Sequence, residues 1–571
     1  MTDAVWDAVV IGAGHNGLAC AAYLARSGRK VLVLEAADRP GGLAATREFA
    51  DGFRVSAAAH LVTMLDAGIA RDLGLERRGL EFAARNLKTV ALGNNGERVA
   101  FENGEVAGVS AKDERAYAEF RRQNRRFARV LAGFCSRPLP RLVNRRRGDT
   151  LALAKLAWEV RTLGKADMRE LLRVGAINIH DAAEERFEST LLKAAIGMDA
   201  VLGSHMGPRS PNTVYTWLHR HMNDDAGANG PSVVKGGMGA LGAAFAAAAE
   251  AAGAKIRYNS PVVSIDLKER PRPGSARGHP SHEERPRPGS ARGHPSQKES
   301  SARGHSTQAD SSARGHSPHM DYRAAGITLA DGTPIETGLV VSGADLKTTI
   351  GLVGPLNLDA GFARRVHNFR ARGVTAKLHL ALDGLPEFRS AEPGDAGARL
   401  LLASSMDGIE SAFDHAKYGR FSPAPVMEIS IPTVHDPSLA PAGKHVLSAM
   451  VQYAPYELKE GWDCGRDAFK AICLERLEAL APGLGETVHA AELLVPPDLE
   501  AEFGVLGGHW HHGEIALDQA LFTRPVPGAN HYATPVPGLY LCGASSHPGG
   551  GILGLAGRNA ARAVMAGKGS G

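Results

Sequence analysis

The chain has 571 residues, 44% hydrophobic and 22% charged, a composition typical of an ordinary globular protein with room for more than one domain. Its formal net charge of +5 is accounted for between Arg270 and Met320, where nine basic and four acidic residues occur. Because the rest of the chain is neutral, its charge excludes a general electrostatic argument for nucleic-acid binding, and no nucleic-acid partner is expected.

Five cysteines occur without a C-x-x-C pair, which predicts no redox-active disulfide and a reducing compartment. The first predicted strand follows Trp6 directly, so we expect no signal or transit peptide and a cytoplasmic protein. No apolar run reaches the length needed to span a membrane, although contact with a membrane surface stays open. We also expect no metal site, because no cluster with metal-ligand spacing stands out.

The stretch from Trp6 to Glu35 reads as strand, glycine turn, helix and strand. Gly12, Gly14 and Gly17 form the pattern G-x-G-x-x-G. The first makes the turn, the second lets the backbone approach a pyrophosphate, and the third lets helix and strand pack closely. Glu35 ends the second strand, where a carboxylate can accept hydrogen bonds from a ribose. This order of elements predicts a dinucleotide site whose phosphates face the N-terminus of the helix.

A second glycine pair follows the acidic residue. The chain continues from Glu35 through Arg39 to Gly41 and Gly42. This extended fingerprint resembles that of FAD enzymes of the glutathione-reductase and amine-oxidase type, in which the pair continues the cofactor cradle. The resemblance implies that the cofactor is FAD, with Arg39, Gly41 and Gly42 among its binding residues.

The next part of the chain is predicted to be largely helical. Residues 53–64 form an apolar segment, with Ser56 and His60 as its inner polar members, that by its position runs from the cofactor towards the substrate. Helices are then predicted over residues 114–131, 151–173, 187–203 and 211–222. His219 and His221 cannot share a helix face, so each is interpreted as a packing or surface histidine.

Residues 232–244 carry a second glycine landmark, in which Gly236, Gly237 and Gly239 precede an alanine-rich helix. In FAD oxidases of this architecture such a helix leads to a strand whose valine packs on the adenine, which makes Val262 the candidate here. Residues 339–345 read as the strand that returns to the dinucleotide sheet.

Between residues 270 and 320 the sequence Ser-Ala-Arg-Gly-His recurs four times. The segment has too few apolar side chains to bury, which predicts disorder. Strand-like residues flank it on both sides, so we interpret it as an insertion at a hairpin tip, where added length costs little stability. Metal binding by its histidines or anion binding by its arginines is the alternative.

The last third of the chain changes character. Alternating patterns over residues 377–383, 426–431 and 445–453 predict a substantially antiparallel sheet, and residues 464–480 predict an amphipathic helix. No second dinucleotide fingerprint occurs, which argues against direct reduction of the flavin by NAD(P)H.

Residues 538–562 read as strand, glycine loop and helix. Such a loop can direct backbone N–H groups and a helix N-terminus at the ribityl chain and pyrimidine edge of a flavin, where negative charge gathers on reduction. Gly543, Ala544, Gly551 and Ile552 are the candidate contacts.

Two segments make the resemblance more specific. The N-terminal fingerprint together with LYLCGASSHPGGGILG resembles the phytoene-desaturase-related FAD oxidoreductases, and HWHHGEIALDQALFTRP at residues 509–525 is similar to the group called pyridine nucleotide-disulfide oxidoreductase domain-containing protein 2. The resemblance covers nearly the whole chain outside the repeat. Because the chain has no C-x-x-C pair, the word "disulfide" in that name does not imply an activity here. For a eukaryotic-type relative, the resemblance would imply the mitochondrial matrix.

The implied fold is α/β (α+β overall), a doubly wound, Rossmann-like FAD domain interleaved with a substrate domain of a mixed sheet and helices. The implied domains alternate along the chain: residues 1–110, 230–350 and 528–571 form the FAD domain, with the insertion 270–320 in its second part, residues 111–229 form a mainly helical part of the substrate domain, and residues 351–527 form its sheet and further helices.

The resemblance further implies dehydrogenation of a small apolar substrate, polyene-like or lipid-like, by hydride transfer to flavin N5, with oxygen or a quinone as electron acceptor. His511, His512 and Glu514 lie in the segment that carries the resemblance and are the candidate catalytic residues, with a structural hydrogen-bond network as the alternative. A flavin amine oxidase and a flavin-binding regulatory protein with little turnover are the alternative functions, and a homodimer stays open.

Overall fold

The structure is a computed structural model that describes residues 5–94, 96–143, 147–224, 230–269, 322–551 and 554–567. Its strands are β1 Ala8–Ile11, β2 Val31–Leu34, β3 Thr46–Ala50, β4 Phe53–Ser56, β5 Phe82–Ala84, β6 Thr89–Leu92, β7 Arg98–Glu102, β8 Glu105–Ala107, β9 Val233–Val234, β10 Lys255–Arg257, β11 Val262–Glu269, β12 Tyr322–Leu329, β13 Pro334–Glu336, β14 Val340–Ser342, β15 Thr375–Leu382, β16 Arg399–Leu402, β17 Val426–Ser430, β18 His445–Gln452, β19 Val488–Leu494 and β20 Leu539–Leu541. Its helices are α1 His15–Arg26, α2 Ala67–Leu73, α3 Ala111–Cys135, α4 Arg147–Arg161, α5 Gly164–Val174, α6 Ile179–Glu184, α7 Thr190–Val201, α8 Thr213–Arg220, α9 Met238–Ala251, α10 Leu346–Val353, α11 Ala360–His367, α12 Met406–Lys417, α13 Trp462–Leu480, α14 Leu484–Thr487, α15 Pro496–Phe503 and α16 Leu555–Gly567. Within the described ranges, no helix has the length and apolar character needed to cross a lipid bilayer.

A parallel sheet in the order β10-β2-β1-β14-β20 brings together the two ends and the middle of the chain. Its central strand, β1, pairs Val9 with Leu32 on one side and with Val340 on the other. Because all neighbouring pairs in the sheet are parallel, the carboxyl ends of its strands meet at one edge, where α/β folds bind their ligands. The strand predicted over residues 339–345 is β14, in the expected place.

The two faces of this sheet are covered differently. Alternate residues such as Val10 and Val33 pack in one core with α1, α9 and α16. Their neighbours Val9 and Leu32 pack in a second core with the antiparallel sheet β11-β12-β13 and with α10. The sheet is therefore buried on both faces, which explains why its strands are uniformly apolar. The predicted α/β fold class is confirmed.

A second sheet of eight strands, in the order β19-β15-β18-β17-β16-β6-β7-β8, is antiparallel except where β16 and β6 run parallel. Its strands alternate between two buried faces. Leu378, Ile429 and Ala449 lie on the apolar face, which packs against Phe469 and other residues of α13. The opposite face carries polar side chains such as Lys377 that are equally buried. This polar face is directed towards the parallel sheet.

Two boundaries differ from the predicted ones. The helix predicted over residues 151–173 is two helices, α4 and α5, because Gly164 between them has a φ of +84°. Strands β6 to β8 belong to the eight-stranded sheet, so residues 89–107 depart from the predicted FAD segment 1–110. The reason is a pairing between residues far apart in sequence, Val90 with Leu400, that no local pattern reveals.

The repeat lies outside the described residues, but the strands that flank it are described. β11 and β12 pair in antiparallel register, with Glu269 opposite Tyr322 at the end of the ladder. The segment therefore connects two paired strand ends, which is the hairpin position that was predicted for it.

Candidate active site

A cavity of about 350 Å³ extends from the carboxyl edge of the parallel sheet to the polar face of the eight-stranded sheet. Its nucleotide end is lined by the ends of β1 and β2 at Ile11 and Leu34, and its far end includes Glu428 and Met450. The cavity thus connects the predicted dinucleotide site to the second sheet.

The N-terminus of α1 opens onto the cavity. Gly14 is its N-cap and provides no side chain to satisfy the first helical N–H groups, and the following residues through Gly17 line the cavity. These N–H groups and the positive end of the helix dipole form an anion site. A Cβ built on Gly17 would lie 2.2 Å from the carbonyl oxygen of Gly12, whereas one built on Gly14 meets no protein atom within 4 Å. Gly17 is thus required for packing, and Gly14 leaves space for a ligand.

Glu35 joins the two glycine turns. Its carboxylate accepts a hydrogen bond from Ala13 N at 2.6 Å and another from Ala37 N at 2.9 Å. Gly41 N donates to Ala13 O at 2.9 Å, which holds the second turn beside the first. The cradle is therefore one connected backbone structure around the cavity.

Most of the predicted site residues come together in this cavity. The predicted residues that line it are Gly12, Gly14, Gly17, Glu35, Gly41, Gly42, Val262, Gly543, Ala544, Gly551, His511 and His512.

Three predicted residues do not join them. The exposed side chain of Arg39 pairs with Asp38 at 3.0 Å and does not line the cavity. The carboxylate of Glu514 accepts a hydrogen bond from Arg370 Nε at 2.7 Å and lies outside the cavity, so it cannot touch a substrate there. Ile552 lies outside the described residues.

The loop that carries His511 and His512 is strained and buried. His512 has a φ of +51°, a left-handed conformation that is uncommon for a residue other than glycine and that often occurs at functional sites. Burial lowers the pKa of both histidines, and burial followed by the proximity of His512 lowers the pKa of His15 to about 4. All three rings are therefore neutral near pH 7, in a form that can donate one hydrogen bond and accept another.

Arg524 fixes this loop from behind. Its guanidinium is 1% exposed and donates to the carbonyl oxygens of Glu514 at 3.0 Å, His511 at 3.1 Å and Ala544 at 2.9 Å. Further bonds reach Gln519 O and Ser546 O. Among the described residues it forms no ion pair, so its charge is spread over backbone carbonyls of two loops. Arg524 thus holds the histidine loop against the glycine loop after β20.

A buried network of charges forms the far end of the cavity. Glu428 Oε1 accepts from His60 Nε2 at 3.0 Å, and Glu428 Oε2 accepts from Arg220 Nη2 at 2.9 Å and from Arg399 Nε. Arg220 and Arg399 also bind Asp199, which closes a ring of two arginines and two carboxylates. Burial alone would raise the pKa of Glu428, but Arg399 and Arg220 hold it well below its usual range. The carboxylate is therefore ionised at neutral pH.

These residues at the far end were not predicted as site residues. His60 was interpreted as an inner polar residue of its segment without a role, and Arg220 and Glu428 were not singled out. The signal that could have indicated Glu428 is its place in VMEISI, where an acidic residue interrupts an otherwise apolar strand. Alternation predicts the strand, but it does not reveal that both faces are buried.

The cavity fits an FAD. His15 Nε2, Ser545 Oγ and the Nδ1 atoms of His511 and His512 are buried, and the described residues offer none of them a hydrogen-bond partner. Such atoms are costly unless a ligand or water satisfies them. The uncapped helix N-terminus, the space above Gly14 and the glycine loop at Gly543 and Gly551 match a pyrophosphate and a flavin in chemistry.

Comparison with known proteins agrees with this site. Residues 17–277 match the family model described as flavin containing amine oxidoreductase. The pyridine nucleotide-disulfide oxidoreductase domain-containing protein 2 of Mus musculus is 32% identical, over 98% of this chain and 93% of its own length. A limonene dehydrogenase component of Castellaniella defragrans is 25% identical over 98% of this chain and 94% of its own. A neurosporene-forming phytoene desaturase of Cereibacter sphaeroides is 25% identical over 43% of this chain and 46% of its own. The resemblance inferred from the sequence is confirmed.

Proposed function

The chain belongs to the family of pyridine nucleotide-disulfide oxidoreductase domain-containing protein 2, and from this membership and the cavity we propose that it dehydrogenates a largely apolar organic substrate. It is an FAD-dependent oxidoreductase. The proposal concerns the substrate class, the transfer of hydride from that substrate, and the residues that assist the reaction.

The residues that would hold FAD divide the cofactor between them. The start of α1 and the turn at Gly41 and Gly42 would bind the pyrophosphate, Glu35 the ribose, and Val262 the adenine. The loop at Gly543, Ala544 and Gly551 would meet the flavin end. When bound, FAD supplies the two-electron acceptor for the reaction.

The chain's own residues orient the substrate and exclude water. Met64, Leu202 and Met450 form an apolar wall, and Trp510 covers it from the histidine loop. Burial of an apolar substrate between these side chains is favourable in itself. His511 and His512 are proposed to hold polar atoms of the flavin or substrate at the same place. Glu514 has no part in this proposal because Arg370 binds it outside the cavity.

The apolar wall is the observation that carries the proposal. The names of two relatives agree with it, since limonene is a terpene hydrocarbon and phytoene is a polyene. A flavin amine oxidase is the second candidate, favoured by the match to the amine oxidoreductase family over residues 17–277. A pair of facing aromatic rings, which would support an amine substrate, is not found among the described residues that line the cavity.

The test is anaerobic stopped-flow reduction of the purified flavoprotein by limonene, phytoene, putrescine, NADH and NADPH in parallel. We expect one of the two hydrocarbons to bleach the flavin absorbance fastest. Rapid bleaching by NADPH alone would overturn the proposal, and fastest reduction by putrescine would favour the amine oxidase. Reduction by none of these compounds, with flavin bound, would favour a flavin-binding protein with little turnover.

The histidine loop is tested on the same samples. The variant His512→Ala should slow reduction more than it lowers flavin content, because its ring lines the cavity. The variant His367→Ala, on the exposed end of α11, is the matched control. Equal rates in the two variants would remove His512 from the reaction. The electron acceptor is then identified by following reoxidation with oxygen and with a soluble quinone.

A further inference from the structure

His60 occupies a position in the cavity that neither the flavin nor the apolar wall explains. It follows β4 in the chain and lines the cavity beside Leu61 and Met64. Its Nε2 and the carboxylate of Glu428 are 3.0 Å apart, and both side chains are only 4% exposed. A histidine bound through one nitrogen to a buried carboxylate has its second nitrogen available for chemistry.

The partner of Nε2 decides the tautomer. Glu428 is ionised and can only accept hydrogen bonds, so Nε2 must carry the hydrogen. Burial, followed by the charge of Lys377, lowers the pKa of His60 to about 4, and the ring is neutral near pH 7. Nδ1 therefore carries a free lone pair, and no described residue donates a hydrogen bond to it.

The surroundings of His60 are set by three neighbouring strands. Lys377 on β15 and Glu428 on β17 both lie opposite Met450 on β18, so the three side chains form a row on the polar face. The Lys377 side chain is 1% exposed, and burial holds the pKa of its amine well below the usual range.

Other charged or titratable groups near His60 are Arg399 on β16, Arg220 on α8, Asp199 on α7 and His379 on β15. The two arginines and two carboxylates of the ring balance each other. Protonation of Nδ1 would create an imidazolium directly bonded to Glu428, which stabilises it.

We propose that His60 is the proton acceptor of the reaction and that Glu428 is the positioning residue that holds it in the accepting tautomer. This inference rests on the proposed dehydrogenation. One substrate C–H bond breaks with both electrons leaving as hydride, for which the acceptor is FAD. The hydrogen on the neighbouring atom leaves as a proton to His60 Nδ1, and the electron pair of its bond forms the new double bond. Oxygen or a quinone restores the oxidised cofactor between turnovers.

The first test needs no substrate. Histidine side chains are labelled with nitrogen-15, and the His60 signals are identified by the difference between wild type and His60→Gln. We expect the chemical shifts of an unprotonated Nδ1 and a protonated Nε2 from pH 6 to pH 8, with titration only near pH 4. A protonated Nδ1 at pH 7, or titration near the ordinary pKa, would overturn the proposal.

The second test uses reduction of the flavin by the faster of limonene and phytoene. The variant His60→Ala should reduce the flavin about 10²- to 10⁴-fold more slowly, with flavin content and melting temperature close to those of His219→Ala. His219 is a matched control because it is buried and does not line the cavity. Added imidazole should restore part of the rate in His60→Ala and none in His219→Ala.

The conservative variants separate the two roles. His60→Gln can keep the bond to Glu428 but has no base at the position of Nδ1, so it should be as slow as His60→Ala without added imidazole. Glu428→Gln should slow reduction less and shift its dependence on pH, because the ring stays but its tautomer is no longer fixed. Unchanged rates in both His60 variants, with wild type reduced by the hydrocarbon, would overturn the role of His60 alone. If neither hydrocarbon reduces the wild type, the proposed function fails and the role of His60 fails with it.

Discussion

Gly14 and Gly17 belong to one fingerprint, but a side chain would have a different effect at each. Gly14 has a φ of −65°, which any residue can adopt, and a side chain there would extend into the cavity. Gly17 touches the Gly12 carbonyl and has no such freedom. We therefore predict that Gly14→Val folds but binds little FAD, because the isopropyl group occupies the place of the pyrophosphate. Flavin absorbance per chain and the melting temperature of the apoprotein measure the two effects.

Gly351→Val is the control for this prediction. Gly351 lies on the exposed side of α10, where a Cβ meets nothing within 4 Å. It should keep its flavin and lose at most about 1 kcal/mol of stability through the lower helix propensity of valine. A folded Gly14→Val protein with a full complement of flavin would contradict the assignment of the phosphate site.

At this scale the sequence could predict one end of the cavity and not the other. The glycines and Glu35 are close together in sequence and their spacing is dictated by the cofactor, so the pattern alone places them. His60, Arg220 and Glu428 meet only because β4, α8 and β17 converge in the folded chain. Their partnership depends on contacts between distant parts of the sequence, which no local pattern encodes.

Among the connecting elements, the histidine loop depends on Arg524. Replacement by lysine keeps the charge but cannot reach the carbonyls of both loops at once, since an ammonium lacks the planar fork of a guanidinium. We predict that Arg524→Lys lowers the free energy of unfolding by about 2 to 4 kcal/mol and weakens FAD binding, because buried carbonyls lose their donors. Denaturant unfolding and flavin titration of the apoprotein provide the two measurements.

Arg365→Lys is the comparison for this variant. Arg365 is exposed and donates to a single carbonyl, that of Pro527, at 3.1 Å. Its replacement should change stability by less than about 1 kcal/mol. Similar losses in the two variants would mean that the guanidinium of Arg524 has no special part in holding the loops together.

The end of α8 carries a charge that depends on pH. Burial alone would lower the pKa of His221, but Asp224, at 2.9 Å, and Asp199 raise it to about 9. A group whose pKa is raised by folding stabilises the protein fully below its unfolded pKa, near 6.5, and loses that effect as the pH rises through about 9. We predict that His221→Gln is less stable than wild type by about 1 to 3 kcal/mol at pH 6 and that the difference disappears above about pH 9.5.

Unfolding curves at several pH values check this sign. The variant His367→Gln, with its histidine exposed on α11, should show no such pH-dependent difference. A stability difference for His221→Gln that grows as the pH rises from 6 towards 9 would contradict the ion pairs described here.

Element prediction from the sequence succeeded where a pattern is local. The strands over residues 377–383, 426–431 and 445–453 are β15, β17 and β18, because strict alternation is a property of a few adjacent residues. The break between α4 and α5 was missed because one glycine inside an amphipathic pattern is compatible with a continuous helix. The membership of β6 in the second sheet was missed for a different reason, its pairing with β16 in a distant part of the chain.

At the scale of the whole molecule, the hairpin of β11 and β12 predicts that the repeat can be removed. Replacing residues 270–321 by Asn-Gly joins Glu269 to Tyr322 through a two-residue turn that suits their antiparallel register. We predict an unchanged flavin content and a melting temperature equal to or higher than that of wild type, since each halving of a loop lowers its closure entropy by about 0.6 kcal/mol. Differential scanning calorimetry of the two proteins makes the comparison.

A second replacement, in which a Gly-Ser linker of the same length takes the place of the repeat, separates length from sequence. It should match wild type in melting temperature and in flavin content. If both shortened and substituted proteins lost flavin or melted much earlier, the repeat would have a structural part that its composition does not indicate.

The eight-stranded sheet keeps two records on the same strands. Leu378 and Ile429 face α13 and serve only the cohesion of the fold, whereas Lys377 and Glu428, one residue away on each strand, face the cavity and serve its chemistry. Descendants of one ancestor can therefore change what they oxidise through every second residue while inheriting the intervening residues almost unaltered. A catalogue of all single substitutions, scored separately for protein abundance and for turnover, would separate into two interleaved combs, each out of step with the other by one position.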